Sequence, residues 1–306
     1  MKKSYIFFLF AALIAISFVA LLANVHGNKV ASSKKMKVTT SFYPLYFFAS
    51  TVGGEWVGVQ NITPPGAEPH DYEPTPNDII AIEQSDILII NGGKLEAWGN
   101  DIRKNMDPAK TTLVVAGEGL TTQTVVEEGK TITDPHVWLS PPLAKEMVGK
   151  ILAAFVARDP EHTDYYTKNA GVLVDQLNML DQEYRAGLHA CQRKDFVTSH
   201  AAFGYLASTY ELDQISITGI SPDTEPSSKD LAAITQFVRA HHITVIFFES
   251  LVSPKLAQTI ATETGSKTLV LDPIEGISLE ALKSGSDYLT VMRANLQNLQ
   301  IALSCS

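Results

Sequence analysis

Cysteine is scarce: the 306 residues contain two, Cys191 and Cys305. No Cys follows the apolar N-terminal run, which argues against a lipid-modified N-terminus, and none lies near the loops considered below, so any metal there must be held by nitrogen and oxygen. Basic charge is in deficit too, with 24 Lys and Arg against 33 Asp and Glu and a net charge of −9. That balance argues against a nucleic-acid partner, because phosphate binding needs basic surface. No HExxH pair is present, nor any internal repeat or low-complexity tract.

What is present begins with Lys2 and Lys3, followed by an uncharged apolar run from Tyr5 to Ala23. A positive start, an apolar stretch and small residues at Ala20 and Ala23 make a secretory signal, expected to occupy residues 1–27. Its length also approaches that of a spanning helix, so an uncleaved anchor is the alternative. Export places the chain in a compartment such as a periplasm. The 45% apolar content suits a packed globular protein.

An oxidising compartment permits a bridge between Cys191 and Cys305, which would close a loop of more than 100 residues and contribute about 4 to 5 kcal/mol in the chain-entropy model. Two buried thiols, or a Cys in a frayed tail, are the other readings.

Met36 to Tyr43 has the β-branched and aromatic content of a strand that Pro44 ends, and Leu45 to Val52 has helical periodicity. Short apolar runs recur at Ile87 to Asn91, Thr112 to Ala116, Asp195 to Thr198, Thr244 to Phe248 and Thr268 to Leu271, with helical stretches between them. This alternation predicts an α/β fold with parallel sheets. From Pro160 to about Ala190, Leu173, Leu177, Leu180, Tyr184 and Leu188 recur at helical spacing. A continuous helix of about 28 residues would be roughly 42 Å long and could join two lobes; two helices broken near Gly171 are the alternative. The expected division is an N-terminal lobe at 36–158, a connecting helix at 159–190 and a C-terminal lobe at 191–306.

Three histidines occupy unusual settings. His70 lies in the proline-rich stretch Pro64 to Pro76, His136 in the Pro-bounded stretch Asp134 to Pro141, and His200 just after the strand that ends at Thr198. Prolines enforce loops, and loops after parallel strands are where α/β proteins place ligand sites. Neutral imidazole is a common Zn²⁺ ligand. Any one of these residues alone is better explained as structural; three together point to a metal. The fourth ligand should be an oxygen donor, and Glu275, after the last predicted strand, is the first candidate with Asp272 the alternative. Either could instead be a surface acid. His241 and His242 close a helix, where a cation is sufficient explanation; His162 and His189 read as surface residues of the connector, and His26 as part of the leader.

The sequence resembles the solute-binding proteins of ABC-type zinc and manganese importers, the cluster A-I family. The motifs that carry the resemblance run in order through the chain: Thr39-Thr40-Ser41-Phe42-Tyr43-Pro44, Pro69-His70-Asp71-Tyr72-Glu73-Pro74, Asp134-Pro135-His136-Val137-Trp138-Leu139, Thr198-Ser199-His200-Ala201-Ala202-Phe203 and Gly219-Ile220-Ser221-Pro222-Asp223-Thr224-Glu225-Pro226-Ser227. The resemblance implies two lobes, each with a parallel sheet flanked by helices, joined by one long rigid helix. It implies capture of Zn²⁺ in the cleft between them by His70, His136, His200 and an acid between Asp272 and Glu275. It further implies a monomer that delivers the ion, as transported ligand, to a membrane permease. Manganese-selective members place a Glu where this chain has His200, which favours zinc over Mn²⁺ or Fe²⁺. Many zinc members carry a long His-rich loop before the second ligand; here Thr121 to Asp134 is short and holds no His, which argues against an auxiliary metal site. A zinc-dependent hydrolase, with Glu275 or Asp272 as general base, is the rival from another class.

Overall fold

The first strand, β1 (Met36–Thr40), is central and largely buried, and it stops short of the predicted Tyr43. Pro44 does not merely end it. It stands in the first turn of helix α1 (Tyr43–Gly53), where a missing N–H costs nothing. The computed structural model describes residues 35–127 and 129–306; the expected leader lies outside them, and 36–306 form one compact unit.

Strand β2 (Val57–Asn61), helix α2 (Pro76–Gln84), strand β3 (Ile87–Ile90), helix α3 (Gly99–Asn105) and strand β4 (Thr112–Val115) follow. The four strands form a parallel sheet in the order β2-β1-β3-β4. Helix α2 opens on a capping box, Thr75 accepting from Asp78 N and the Asp78 carboxylate accepting from Thr75 N. An antiparallel hairpin, β5 (Thr124–Glu127) with β6 (Lys130–Thr133), precedes a 3₁₀ turn at Val137–Leu139 and helix α4 (Pro141–Arg158).

Helix α5 (Thr163–Leu188) runs 26 residues without a break, about 39 Å at 1.5 Å per residue. Its first turn is displaced from Pro160 by a 3₁₀ segment at Pro160–His162. Gly171 faces open space and does not interrupt it. A mid-helix glycine costs about 1 kcal/mol, which the buried stripe Leu173, Leu177, Leu180, Tyr184 and Leu188 outweighs.

The second sheet is built likewise from β7 (Asp195–Thr198), helix α6 (Gly204–Thr209), β8 (Asp213–Ser216), helix α7 (Ser228–Ala240), β9 (Val245–Phe248), helix α8 (Lys255–Thr264) and β10 (Lys267–Val270). Its parallel order is β10-β9-β7-β8. Helices α9 (Leu279–Lys283) and α10 (Tyr288–Leu303) complete the chain, and Cys191 is bonded to Cys305, 114 residues away.

Strands β2 and β8 escape sequence reading because they lack the apolar run that reveals the other two edge strands, β4 and β10. Val-Gly-Val-Gln-Asn and Asp-Gln-Ile-Ser carry the polar and small residues that an exposed edge tolerates. The main core runs through both halves, uniting Phe48 of α1, Phe155 of α4, Leu177 of α5, Phe247 of β9 and Met292 of α10. The loops that follow β2 and β7, one strand from each parallel sheet, hold His70 and His200, and His136 follows the hairpin strand β6.

Candidate metal centre

Each candidate ligand follows a strand. His70 lies in the loop from β2 to α2, and His136 between β6 and the 3₁₀ turn at Val137–Leu139. His200 stands two residues beyond β7 and Glu275 five beyond β10. Their ligand atoms converge to within 4.8 Å of one another. Glu275 Oε1 lies 3.0 Å from His70 Nε2, 2.9 Å from His136 Nε2 and 3.3 Å from His200 Nε2. His136 Nε2 is 3.3 Å from His70 Nε2 and 3.4 Å from His200 Nε2. A tetrahedral Zn²⁺ shell with bonds of about 2.0 to 2.1 Å spaces its donor atoms about 3.3 Å apart. The cluster therefore already has nearly the dimensions such an ion requires.

The rings are aimed by a surrounding layer. Asp134 Oδ1 accepts from both the Nδ1–H and the backbone N–H of His136, at 2.8 and 2.9 Å. Glu249 Oε1 does the same for His200, at 2.7 and 3.2 Å. A carboxylate on Nδ1 fixes the tautomer that leaves Nε2 free to ligate. Among the described residues no side chain holds the other ring nitrogen of His70; Glu68 Oε1 accepts only from its backbone N–H, at 3.3 Å.

Burial alone would lower the pKa of His136, but Asp134 and Glu275 outweigh it and raise the ring above its ordinary 6.5. His200 is raised further, burial again being overcome, here by Glu249 and Glu275. Burial opposes the charge of Glu275, yet His200, His70 and His136 hold its carboxyl well below the usual range. Glu68 is pushed up to about 9, first by burial and then by the charge of Glu275. Four acids thus lie around the rings: Asp134, Glu249 and Glu275 against their nitrogens, and Glu68 at the His70 backbone.

Asp272 does not join the cluster. Its Oδ1 instead accepts from Ile274 N at 2.7 Å, closing the turn that leads to Glu275. His241 stacks on Phe237 at 3.8 Å and pairs with Asp195, while His162 stacks on Trp56 at 3.8 Å and pairs with Asp159. His162 is therefore partly buried in an aromatic contact rather than a plain surface residue. His189 and His242 are exposed. Sequence reading missed Asp134 and Glu249 as partners of the rings, although Glu249 directly follows β9, the same signal that marks His200 and Glu275.

The family model described as zinc-uptake complex component A, periplasmic, matches residues 38–302. The chain is 38% identical over 288 residues to the high-affinity zinc uptake system protein ZnuA of Bacillus subtilis (strain 168), covering 90% of each. It is 37% identical over 321 residues to the zinc-binding protein AdcA of Streptococcus pyogenes serotype M18, where the match takes in 98% of this chain but 62% of that protein. Among solved structures, the Zn(II)-bound ZnuA-like domain of Streptococcus pneumoniae AdcA superposes with a TM-score of 0.77 at 37% identity, over 88% of this chain and 99% of that one.

Proposed function

This chain belongs to the zinc-uptake complex component A family, and from that premise we propose that it captures Zn²⁺ through His70, His136, His200 and Glu275 and hands the ion to an ABC importer. The observation that carries the reading is the convergence of three imidazoles and one carboxylate at tetrahedral spacing in a buried pocket. Three nitrogen donors suit Zn²⁺ better than Mn²⁺, which favours oxygen. Four protein ligands close the shell, as in a site that holds an ion rather than one that keeps a position for reacting water. The family is one of transport components, which sets the hydrolase alternative aside.

In this reading residues 36–158 supply His70 and His136, residues 191–306 supply His200 and Glu275, and 159–190 connect them. The ion ties the two parts together, so delivery to the permease requires a ligand to move. The protein works as a monomer without nucleic acid, exported to the periplasm by its leader. Among the described residues no helix is long and apolar enough to cross a membrane.

The test is the stoichiometry and affinity of Zn²⁺ binding to the purified protein, against a variant in which His70, His136 and His200 are all Ala. We expect one Zn²⁺ per chain with submicromolar affinity, abolished in the variant. Equal binding by both would overturn the assignment.

A further inference from the structure

Glu275 reaches the cluster from a segment without regular structure, and the backbone just before it is strained. Five described non-glycine residues have positive φ: Lys94, Glu211, His242, Ile274 and Ser304. Ile274, at φ +58°, is the β-branched one among them and is 1% exposed. A left-handed conformation is an outlier for a β-branched residue and costs on the order of 1 to 3 kcal/mol, so it persists only where its surroundings impose it.

Those surroundings can be named. Asn295, 1% exposed in the middle of α10, spends its whole side-chain amide on one residue, Asp272. Its Oδ1 accepts from Asp272 N at 2.9 Å and its Nδ2 donates to Asp272 O at 2.7 Å. The Asp272 carboxylate in turn accepts from Ile274 N at 2.7 Å, and Pro273 O accepts from Trp138 Nε1 at 2.7 Å. Every residue from 272 to 274 is thus fastened. Beyond the clamp, Glu275, Gly276 and Ile277 line a cavity of about 230 Å³ shared with Tyr43 and Tyr46. Ile274 and Ile277 pack into the core on either side of Glu275, and the hydrogen bonds before Glu275 add direction to that packing.

We propose that Asn295 and Asp272 are positioning residues for the metal site: they hold Ile274 in its left-handed conformation and so aim the Glu275 carboxylate at the three imidazoles. Neither touches the ion. A buried Asn in mid-helix is costly unless both its groups are paired, and here both are used three residues upstream of a ligand. The inference rests on the His₃Glu reading of the site.

The experiment loads wild type and variants with Co²⁺, an optical stand-in for Zn²⁺ whose visible bands report the ligand set, and measures Zn²⁺ affinity in parallel. Glu275→Gln supplies the spectrum of a site without its carboxylate. Asp272→Ala and Asn295→Ala are expected to shift toward that spectrum and to lose affinity by about 10- to 100-fold, the usual effect of removing a group that orients a ligand. Asp272→Asn keeps the Oδ1 acceptor and is expected to match wild type. So is Asn298→Ala, which removes a similar bond from the same helix, Asn298 Nδ2 to Val270 O at 2.8 Å.

Wild-type spectra and affinities in Asp272→Ala and Asn295→Ala would overturn the proposal. So would equal losses in Asp272→Asn and Asp272→Ala, which would make the charge of Asp272 the important property. Should Asn295→Ala fail to fold, the Asp272 pair decides. A Glu275→Gln spectrum identical to wild type would instead sink the reading of the site itself.

Discussion

His136 and His200 differ from His70 in how their rings are held, although all three present Nε2 to Glu275. The first two are fully buried, and each is gripped at ring and backbone by one carboxylate oxygen. The His70 side chain is 8% exposed and sits in a loop punctuated by Pro64, Pro65, Pro69 and Pro74; its Nε2 faces Glu275 and His136, but no carboxylate grips its other ring nitrogen, and Glu68 accepts only from its backbone N–H. Two rings are therefore aimed before the ion arrives, while the third is held by a stiff loop and by Glu275. The contrast teaches which part of a closed site can open. In the proposed capture and delivery of the ion, His70 is the ring whose withdrawal leaves the two carboxylate-held rings undisturbed.

Single substitutions test that asymmetry most strongly. His136→Ala or His200→Ala removes an aimed ligand and leaves Asp134 or Glu249 buried beside the gap, so Zn²⁺ affinity is expected to fall by more than about 100-fold, beyond the usual effect of an orienting group. His70→Ala leaves three ligands and a position that water can fill. It should cost less affinity and should speed Zn²⁺ release, as read by competition with a chelating dye. Equal losses at all three positions would remove the distinction.

A smaller effect follows from the protons. His136 and His200 have raised pKa values, so their contribution to the stability of the metal-free protein is full below the ordinary imidazole value of 6.5 and is lost as pH rises through the raised values. Glu275 is lowered; its contribution is present above the ordinary 4.5 and is lost as pH falls through its depressed value. The site therefore stabilises the metal-free chain most between pH 4.5 and 6.5. Zn²⁺ needs neutral rings and displaces those protons, so the Tm gained on adding Zn²⁺ should shrink steadily as pH is lowered from 8 to 6. A gain that does not change with pH would mean that the rings are neutral before binding.

The same contrast explains what could be read from the sequence. Proline-bounded loops and strand ends marked His70, His136, His200 and Glu275 because backbone punctuation is local, and the stripe from Leu173 to Leu188 announced the long helix for the same reason. Asp134 stands two residues before His136, inside a motif already noticed, yet nothing local says that its carboxylate turns back to the ring. Glu249 and Asn295 are 49 and 23 positions from the residues they hold, and only the tertiary fold brings them together. On composition Asp272 is as plausible a ligand as Glu275; in the fold its carboxylate turns back to Ile274 N and stays outside the cluster that Glu275 joins, a difference that no local pattern announces. Strands β2 and β8 were invisible because polar and small residues break their apolar pattern, whereas β4 and β10, at the opposite edges, keep it.

X-ray absorption at the zinc edge of the loaded protein reads the proposed closed shell of three imidazoles and one carboxylate without intermediaries. A four-coordinate ion with three nitrogen donors and one oxygen at about 2.0 to 2.1 Å is expected, with a changed spectrum in Glu275→Gln. A five- or six-coordinate, water-bearing ion, or a spectrum indifferent to Glu275, would contradict it.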